Sequence, residues 1–334
     1  MSPRGARADT AGVARFLAVR LLRFATLLAG VSVLAFALVL NSPVDPIQAY
    51  IGADVNISDE QLARLREYWG LDGSPVERYF AWASAMAEGN LGVSTLYKAP
   101  VAAVIGERFW ASFALMGAAW MFSGVIGYAL GVVAAFHRGR LADRIITGYS
   151  YALSSTPAFW LGIVFLAVFA VWLGWFPVGL AGPHGVPAEE VTLTQRLRHF
   201  ALPVATLSLI GVANIAMHTR ERMTDVLHSD YVLFARARGE LNRSVFWNHG
   251  LRNSIVPAIT LQFAYFAELF GGSVLAETVF SYPGLGSTLT AAALGGDVPL
   301  LLGIVLISSA FVFAGNTVAD LINAAIDPRV RTSP

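Results

Sequence analysis

The stretch HSDYVLFARARGELNRSVFWNHGLRNSIVPAIT, residues 228–260, decides how this chain is read. Hydrophobic sequence flanks it on both sides, yet Arg236, Arg238, Arg243 and Arg252 fall inside it, with Arg220 and Arg222 just upstream. The pattern predicts two short helices folded back on each other. Ser229 or Asp230 caps the first, Gly239 supplies the permissive turn residue that ends it, and Asn242 or Ser244 caps the second. Pro257 then opens a new apolar run, as a proline does at a helix start. The same basic segment also fits an ordinary loop on the cytoplasmic side of a membrane protein, where arginine collects.

Working outward, the composition settles the solvent. The 334 residues are 56% hydrophobic and 13% charged, about half the charge of a soluble domain. This is a membrane protein. A formal net charge of +1, with basic residues dispersed among loops, implies no nucleic-acid partner. Without cysteine there is no disulfide framework, thiol nucleophile or thiolate metal site. Lys98, the single lysine, is followed by Ala99-Pro100, so the chain has no Gly-Lys-Ser/Thr phosphate loop. ATP-driven work must come from a partner. His137, His184, His199, His218, His228 and His249 are scattered, none in an HExxH arrangement or beside a carboxylate at ligand spacing, and no catalytic constellation stands out.

Residues 24–40 run seventeen positions without a charge, about 25 Å of helix, and the 16–22 lead-in extends this across a core of ~30 Å. That run exceeds the apolar stretch of a usual signal peptide and ends in Asn41-Ser42-Pro43, so a retained anchor is favoured. Residues 41–107 then carry nine acids against Arg64, Arg66, Arg78 and Lys98. Capping-box spacings at Ser58-Asp59-Glu60-Gln61 and Ser74-Pro75-Val76-Glu77, with stops at Gly70 and Gly89, predict helices over 59–69 and 75–87. Their Leu62, Leu65, Tyr68, Trp69 and Tyr79, Trp82, Met86 sets pack together or lie at the bilayer surface. Further apolar spans at 111–136, 149–176, 201–217, 255–280 and 298–326 bring the expected total to six. Both termini then share a side. Sixteen Arg or Lys lie on that side, together with the Gly239 loop, and seven on the other. The termini and the loop are therefore expected in the cytoplasm, with the 41–107 cap outside.

Glu268 falls inside the fifth span, where an ionisable group is costly and faces a cavity or pairs with a neighbour, which makes it a pathway candidate. Glu277 lies near the span's outer end, where water is expected to reach it. After it, Pro283-Gly284 and Gly286 mark a turn.

Asp230-Tyr231, Ala235-Arg236-Ala237-Arg238-Gly239, His249, Arg252-Asn253 and Pro257 resemble the cytoplasmic loop of ABC-importer permeases of the dipeptide/oligopeptide/nickel group. In that family the loop is the coupling helix seated in a cleft of the ATPase subunit. Leu233-Phe234-Ala235 stands where the wider importer motif has Glu-Ala-Ala, a departure shared by the peptide/nickel branch. Gly89-Asn90-Leu91-Gly92, Arg138-Gly139 with Asp143-Arg144, Pro157-Ala158-Phe159-Trp160-Leu161-Gly162, the run from Glu277 to Gly286, and Asp327-Pro328-Arg329-Val330-Arg331 extend the resemblance over residues 16–331.

The resemblance implies an all-α protein of six transmembrane helices, a type I ABC importer-like permease fold with a small extracytoplasmic helical cap. It organises the chain as a cytoplasmic N-terminus and first helix (1–41), the cap (42–107), a five-helix core (108–326) containing the coupling loop 218–254, and a cytoplasmic tail (327–334). It further implies a permease subunit, not an enzyme, in a bacterial inner membrane. Such a subunit pairs with a second homologous permease, two ATPase subunits that bind ATP and Mg, and an extracytoplasmic binding protein. Asp230, Ala235, Arg236, Ala237 and Gly239 carry the coupling role, with Arg243 as a salt-bridge contact. The cargo class is peptides or nickel and other metal chelates, the residues 267–272 leaning towards nickel-type members. The alternative is an ion-coupled secondary transporter that uses Glu268, a class often built from inverted repeats. No clear repeat is visible in this sequence.

Overall fold

The computed structural model of the protein describes residues 3–41, 58, 60 and 73–326. The chain divides into two compact units, Met1–Glu107 with Leu289–Phe313, and Arg108–Thr288 with Ala314–Pro334.

In the first unit, helix α1 (Pro3–Leu40) contains the anchor run. Helix α2 (Pro75–Ala87) starts as its sequence predicts. The Glu77 amide donates to the Ser74 hydroxyl and the Ser74 amide donates to the Glu77 carboxylate at 2.9 Å, with Pro75 in the first turn, where a missing N–H costs nothing. Gly89, at φ +85, follows its end. Tyr79 and Trp82 pack on Phe36 of α1, and the Tyr79 hydroxyl shares a 2.8 Å hydrogen bond with Ser32. The aromatic pair is therefore packed within the protein. A short hairpin, β1 (Val93–Ser94) against β2 (Ala99–Pro100), is antiparallel with Val93 opposite Pro100. The buried Asp297 carboxylate accepts from the Ser94 hydroxyl and the Leu96 amide, and also from the Leu300 amide. One side chain thus ties the hairpin to the start of the last helix (Val298–Ile326). The expected helix over 59–69 and the tail 327–334 lie outside the described residues.

The second unit is built around α3 (Val101–Phe136) and α6 (Leu193–Leu227). A Cβ on Gly127 would lie 2.7 Å from the Ile215 Cβ, and one on Gly131 would lie 2.5 Å from the Ala216 carbonyl oxygen and 2.6 Å from the Thr219 Cβ. Only glycine allows the two backbones to approach so closely, the small-residue packing that membrane helices use where no hydrophobic effect drives them together. Across the same unit the Gln262 amide bonds Trp120 and Ser123, and Tyr128 shares a 2.8 Å hydrogen bond with Ser254.

Among the described residues, four helices are long and apolar enough to cross a bilayer, and two bent pairs bring the number to six spans. The bent pairs depart from the sequence reading, which treated 149–176 and 255–280 as continuous. The first is α4 (Leu141–Ser154) followed, at an angle of 108°, by α5 (Ala158–Phe165) and a π-helical segment (Leu166–Trp172). The reason is local. Pro157 has no N–H to continue α4, and the Ser155 and Thr156 hydroxyls donate to the Tyr151 and Ala152 carbonyls. The second pair, Asn242–Ala264 and Glu268–Val279, bends by 56°, where α9 (Leu251–Ala264) gives way to α10 (Phe266–Val279). Pro257 does not open a helix. It lies within α9, because the chain is already helical from residue 242, and a bundle tolerates an interior proline. The fourth span is also longer than the expected 201–217, running the full length of α6 through Pro203.

Candidate functional site

Helix α6 ends at Leu227, and after two residues the chain enters α7 (Asp230–Ala237). Ser229 sits at the N-cap position, but its hydroxyl donates back to the Val226 carbonyl instead of capping α7. It closes the helix behind it. Asp230 opens α7 and Arg236 lies in its last turn, each at the end of the helix dipole that favours its charge.

The exit from α7 is a Schellman turn. The Gly239 amide donates to the Arg236 carbonyl at 2.9 Å and the Glu240 amide to the Ala235 carbonyl at 3.2 Å, with Gly239 at φ +89. No atom lies within 4 Å of a Cβ built at Gly239, so backbone strain alone reserves the position for glycine. The next cap differs from expectation. Leu241 is the extended residue before α8 (Asn242–Val245), which passes into a π-helical turn (Phe246–Gly250). Asn242 and Ser244 lie inside the helix, because the Schellman turn is complete at Glu240 and the helix starts before either could cap it. Ser244 instead donates to the Glu240 carboxylate at 2.9 Å, and His249 approaches the same carboxylate at 3.5 Å. The Ser244 hydrogen bond is the main cause that holds the Glu240 carboxyl below the usual carboxylate range.

This helical hairpin has two unlike faces. Val232 and Val245 are fully buried, and with Ala135, Met223 and Leu227 they form a cluster that Val132, Phe136, Val226 and Phe246 enclose. Each buried valine contributes about 1.5–3 kcal/mol, which fastens the hairpin to the ends of α3 and α6. The outer face carries Tyr231, Leu233, Phe234 (68% exposed), Leu241 (77%) and Trp247, interspersed with Arg236, Arg238 and Arg243. So many large apolar groups, with cations between them, mark a surface for a partner. Gly239, Glu240, Leu241, Arg243, Ser244 and Trp247 line a shallow hollow on it.

Of the residues singled out in the sequence, Asp230, Arg236, Ala237, Gly239 and Arg243 are exposed on this hairpin, whereas Ala235 is buried beneath it. Glu268 is elsewhere, exposed in the first turn of α10. Glu277, expected to be wet, is fully buried. Its carboxylate accepts from the Ser112 hydroxyl at 2.6 Å and from the Gly286 and Ser287 amides at 2.7 and 3.2 Å, and Ser112 accepts from the Leu285 amide. The Pro-Gly turn folds back over its own upstream glutamate. Asp143, quoted in the sequence only beside Arg144, is buried and holds Arg220 through two hydrogen bonds, a pairing the sequence reading missed. The only available signal was the Asp143-Arg144 pair of the resemblance, which does not say that Arg220 is the partner.

Residues 127–332 match the family described as Binding-protein-dependent transport system inner membrane component. The chain is 32% identical over 321 residues to the oligopeptide transport system permease protein AppB of Bacillus subtilis (strain 168), covering 95% of this chain and 99% of that one. It is 34% identical over 320 residues to the di/tripeptide transport system permease protein DppB of Pseudomonas aeruginosa, covering 90% and 94%. The glutathione transport system permease protein GsiC of Escherichia coli (strain K12) is 34% identical over 302 residues, with the same coverage. In fold, the chain is similar to the structure titled inward facing conformations of the MetNI methionine ABC transporter. That likeness has a TM-score of 0.55 at 15% identity, over 67% of this chain and 96% of that one.

Proposed function

Because the chain belongs to the binding-protein-dependent transport system inner membrane components, and so is a permease subunit of an ABC importer, we propose that its 230–247 hairpin is the surface on which an ATPase subunit docks. The observation that carries this reading is the two-faced hairpin. One face is fastened into the membrane unit through Val232 and Val245, and the other offers Phe234, Leu241, Trp247 and three arginines to a partner. Asp230, Arg236, Ala237 and Arg243 make contact there, Gly239 sets the turn, and Ala235 holds the docking helix at its height.

The complete importer in this reading contains a second permease, two ATPase subunits that bind ATP and Mg, and a binding protein outside an inner membrane. The termini and hairpin are cytoplasmic, as the distribution of arginine favours. ATP-driven closure of the ATPases draws two such hairpins together, and alternating access needs no covalent chemistry from this chain. Peptides are the cargo class that the relatives' names favour over nickel or other metal chelates. Glu268, exposed on this chain, faces a pathway that the second permease completes. Glu268→Gln is then expected to lower uptake of a labelled tripeptide while the ATPase stays bound; unchanged uptake removes Glu268 from the pathway.

Tagged protein purified in mild detergent tests the docking surface. Wild type is expected to bring an ATPase and a second permease with it, and Gly239→Trp to lose the ATPase and keep the permease. A wild type that purifies alone overturns the reading. A Gly239→Trp variant that retains the ATPase overturns the hairpin's part in it.

A further inference from the structure

Ten residues before the hairpin, near the end of α6, Arg220 forms a two-pronged ion pair with Asp143 of α4. The Arg220 Nε donates to one carboxylate oxygen at 2.5 Å and an Nη to the other at 2.9 Å. Asp143 is buried, and its remaining acceptor capacity is filled by the Gly139 amide at 2.8 Å and the Thr147 hydroxyl at 3.3 Å. Arg220 is held in place from the other side, because Gly131 of α3 lets the α6 backbone press in at Ala216, Thr219 and Arg220.

A buried ion pair is weak support for stability, since an apolar pair of the same volume often serves as well. What a forked pair adds is fixed geometry. Here that geometry joins two particular elements. On one side, α6 continues without a break from Arg220 to Leu227, and Met223 and Leu227 are in the cluster that grips Val232 and Val245. On the other, α4 is the lower arm of the 108° elbow whose upper arm is α5. Docking-driven movement of the hairpin therefore reaches α6 through packing, and α4 through its packing along α6 together with this pair, the polar contact that fixes the register between them.

We infer that the Asp143–Arg220 pair is a positioning device that makes the broken span 141–172 move with the 230–247 hairpin, a role that rests on the ATPase-docking reading above. The pair takes no part in the docking face.

The chain contains no cysteine, so spin labels can be placed at will. Ile145→Cys on α4 and Asp225→Cys on α6 are both exposed and lie off the hairpin. The distance between the two labels is measured in the purified importer complex, without nucleotide and after trapping with ATP and vanadate. In the wild-type background the distance is expected to be the same in both states. In Asp143→Asn and Arg220→Gln it is expected to shift on trapping, with Arg220→Lys, which keeps the charge but not the fork, in between. A wild-type distance that itself changes on trapping overturns the inference, because the two elements then move independently. Variants that keep the wild-type distance in both states also overturn it, leaving the pair as a static brace. If Asn and Gln variants fail to assemble, Arg220→Lys alone decides between these outcomes. A wild type that recruits no ATPase fails the docking reading itself, which the same purification shows before any label is read.

Discussion

At the scale of residues, buried and exposed positions in the 230–247 hairpin do different work, and Ala235 shows it best. A motif placed it among the coupling residues, but its side chain is buried and presents nothing to a partner. Its smallness lets the helix sit close. Ala235→Leu is therefore expected to cost about 1–3 kcal/mol by overpacking, read as a lower thermal midpoint in detergent, and to lift α7 so that ATPase recovery falls as well. A variant with wild-type melting and recovery would contradict this placement. Glu277 carries the same lesson in reverse. An acid near a span end reads as solvated, yet folding wraps its own downstream amides around it, and the hydrogen bonds from Ser112, Gly286 and Ser287 offset the cost of burial.

At the scale of elements, the crossing of α3 and α6 depends on absent side chains. Gly131→Leu places a Cβ 2.5 Å from the Ala216 carbonyl oxygen and 2.6 Å from the Thr219 Cβ, and backbone cannot step aside as a flexible side chain does. The expected outcome is loss of folded protein by size-exclusion after extraction, with Gly117→Leu as a control, because nothing lies within 4 Å of a Cβ there. Equal yields from the two variants would mean that the close approach is dispensable. Element ends were the least legible feature of the sequence. Capping at Ser74 and the stop at Gly239 depend only on neighbours in the chain, and both stand as read. Ser229, Asn242 and Pro257 do not, because a preceding helix, a Schellman turn and a π-helical turn compete for the same groups.

At the scale of the whole molecule, orientation in the bilayer is the property with the clearest external test. With no native cysteine, single Cys substitutions report their own side of the membrane. Leu141→Cys and Asn248→Cys, both exposed, are expected to react with a membrane-impermeant maleimide only after cells are opened. Ser74→Cys is expected to react in intact spheroplasts. The opposite pattern would invert the topology and remove the hairpin from the reach of cytoplasmic ATPases. Nothing in the spans themselves decides this matter, since an apolar helix crosses equally well in either direction and the flanking arginines set the choice.

The sequence by itself determined the solvent, the number of spans and the place of the 230–247 hairpin. Each of these follows from composition, the length of apolar runs or local turn chemistry, all of which act over a few residues. Only the tertiary structure decided that Ala235 lies under the exposed face of the hairpin, that Glu277 is sealed and that Asp143 holds Arg220. These depend on groups as far apart in the chain as Asp143 and Arg220 or Ser112 and Glu277. A buried polar group is settled by whichever distant partner the fold brings within hydrogen-bond reach, and no local pattern in the sequence records that.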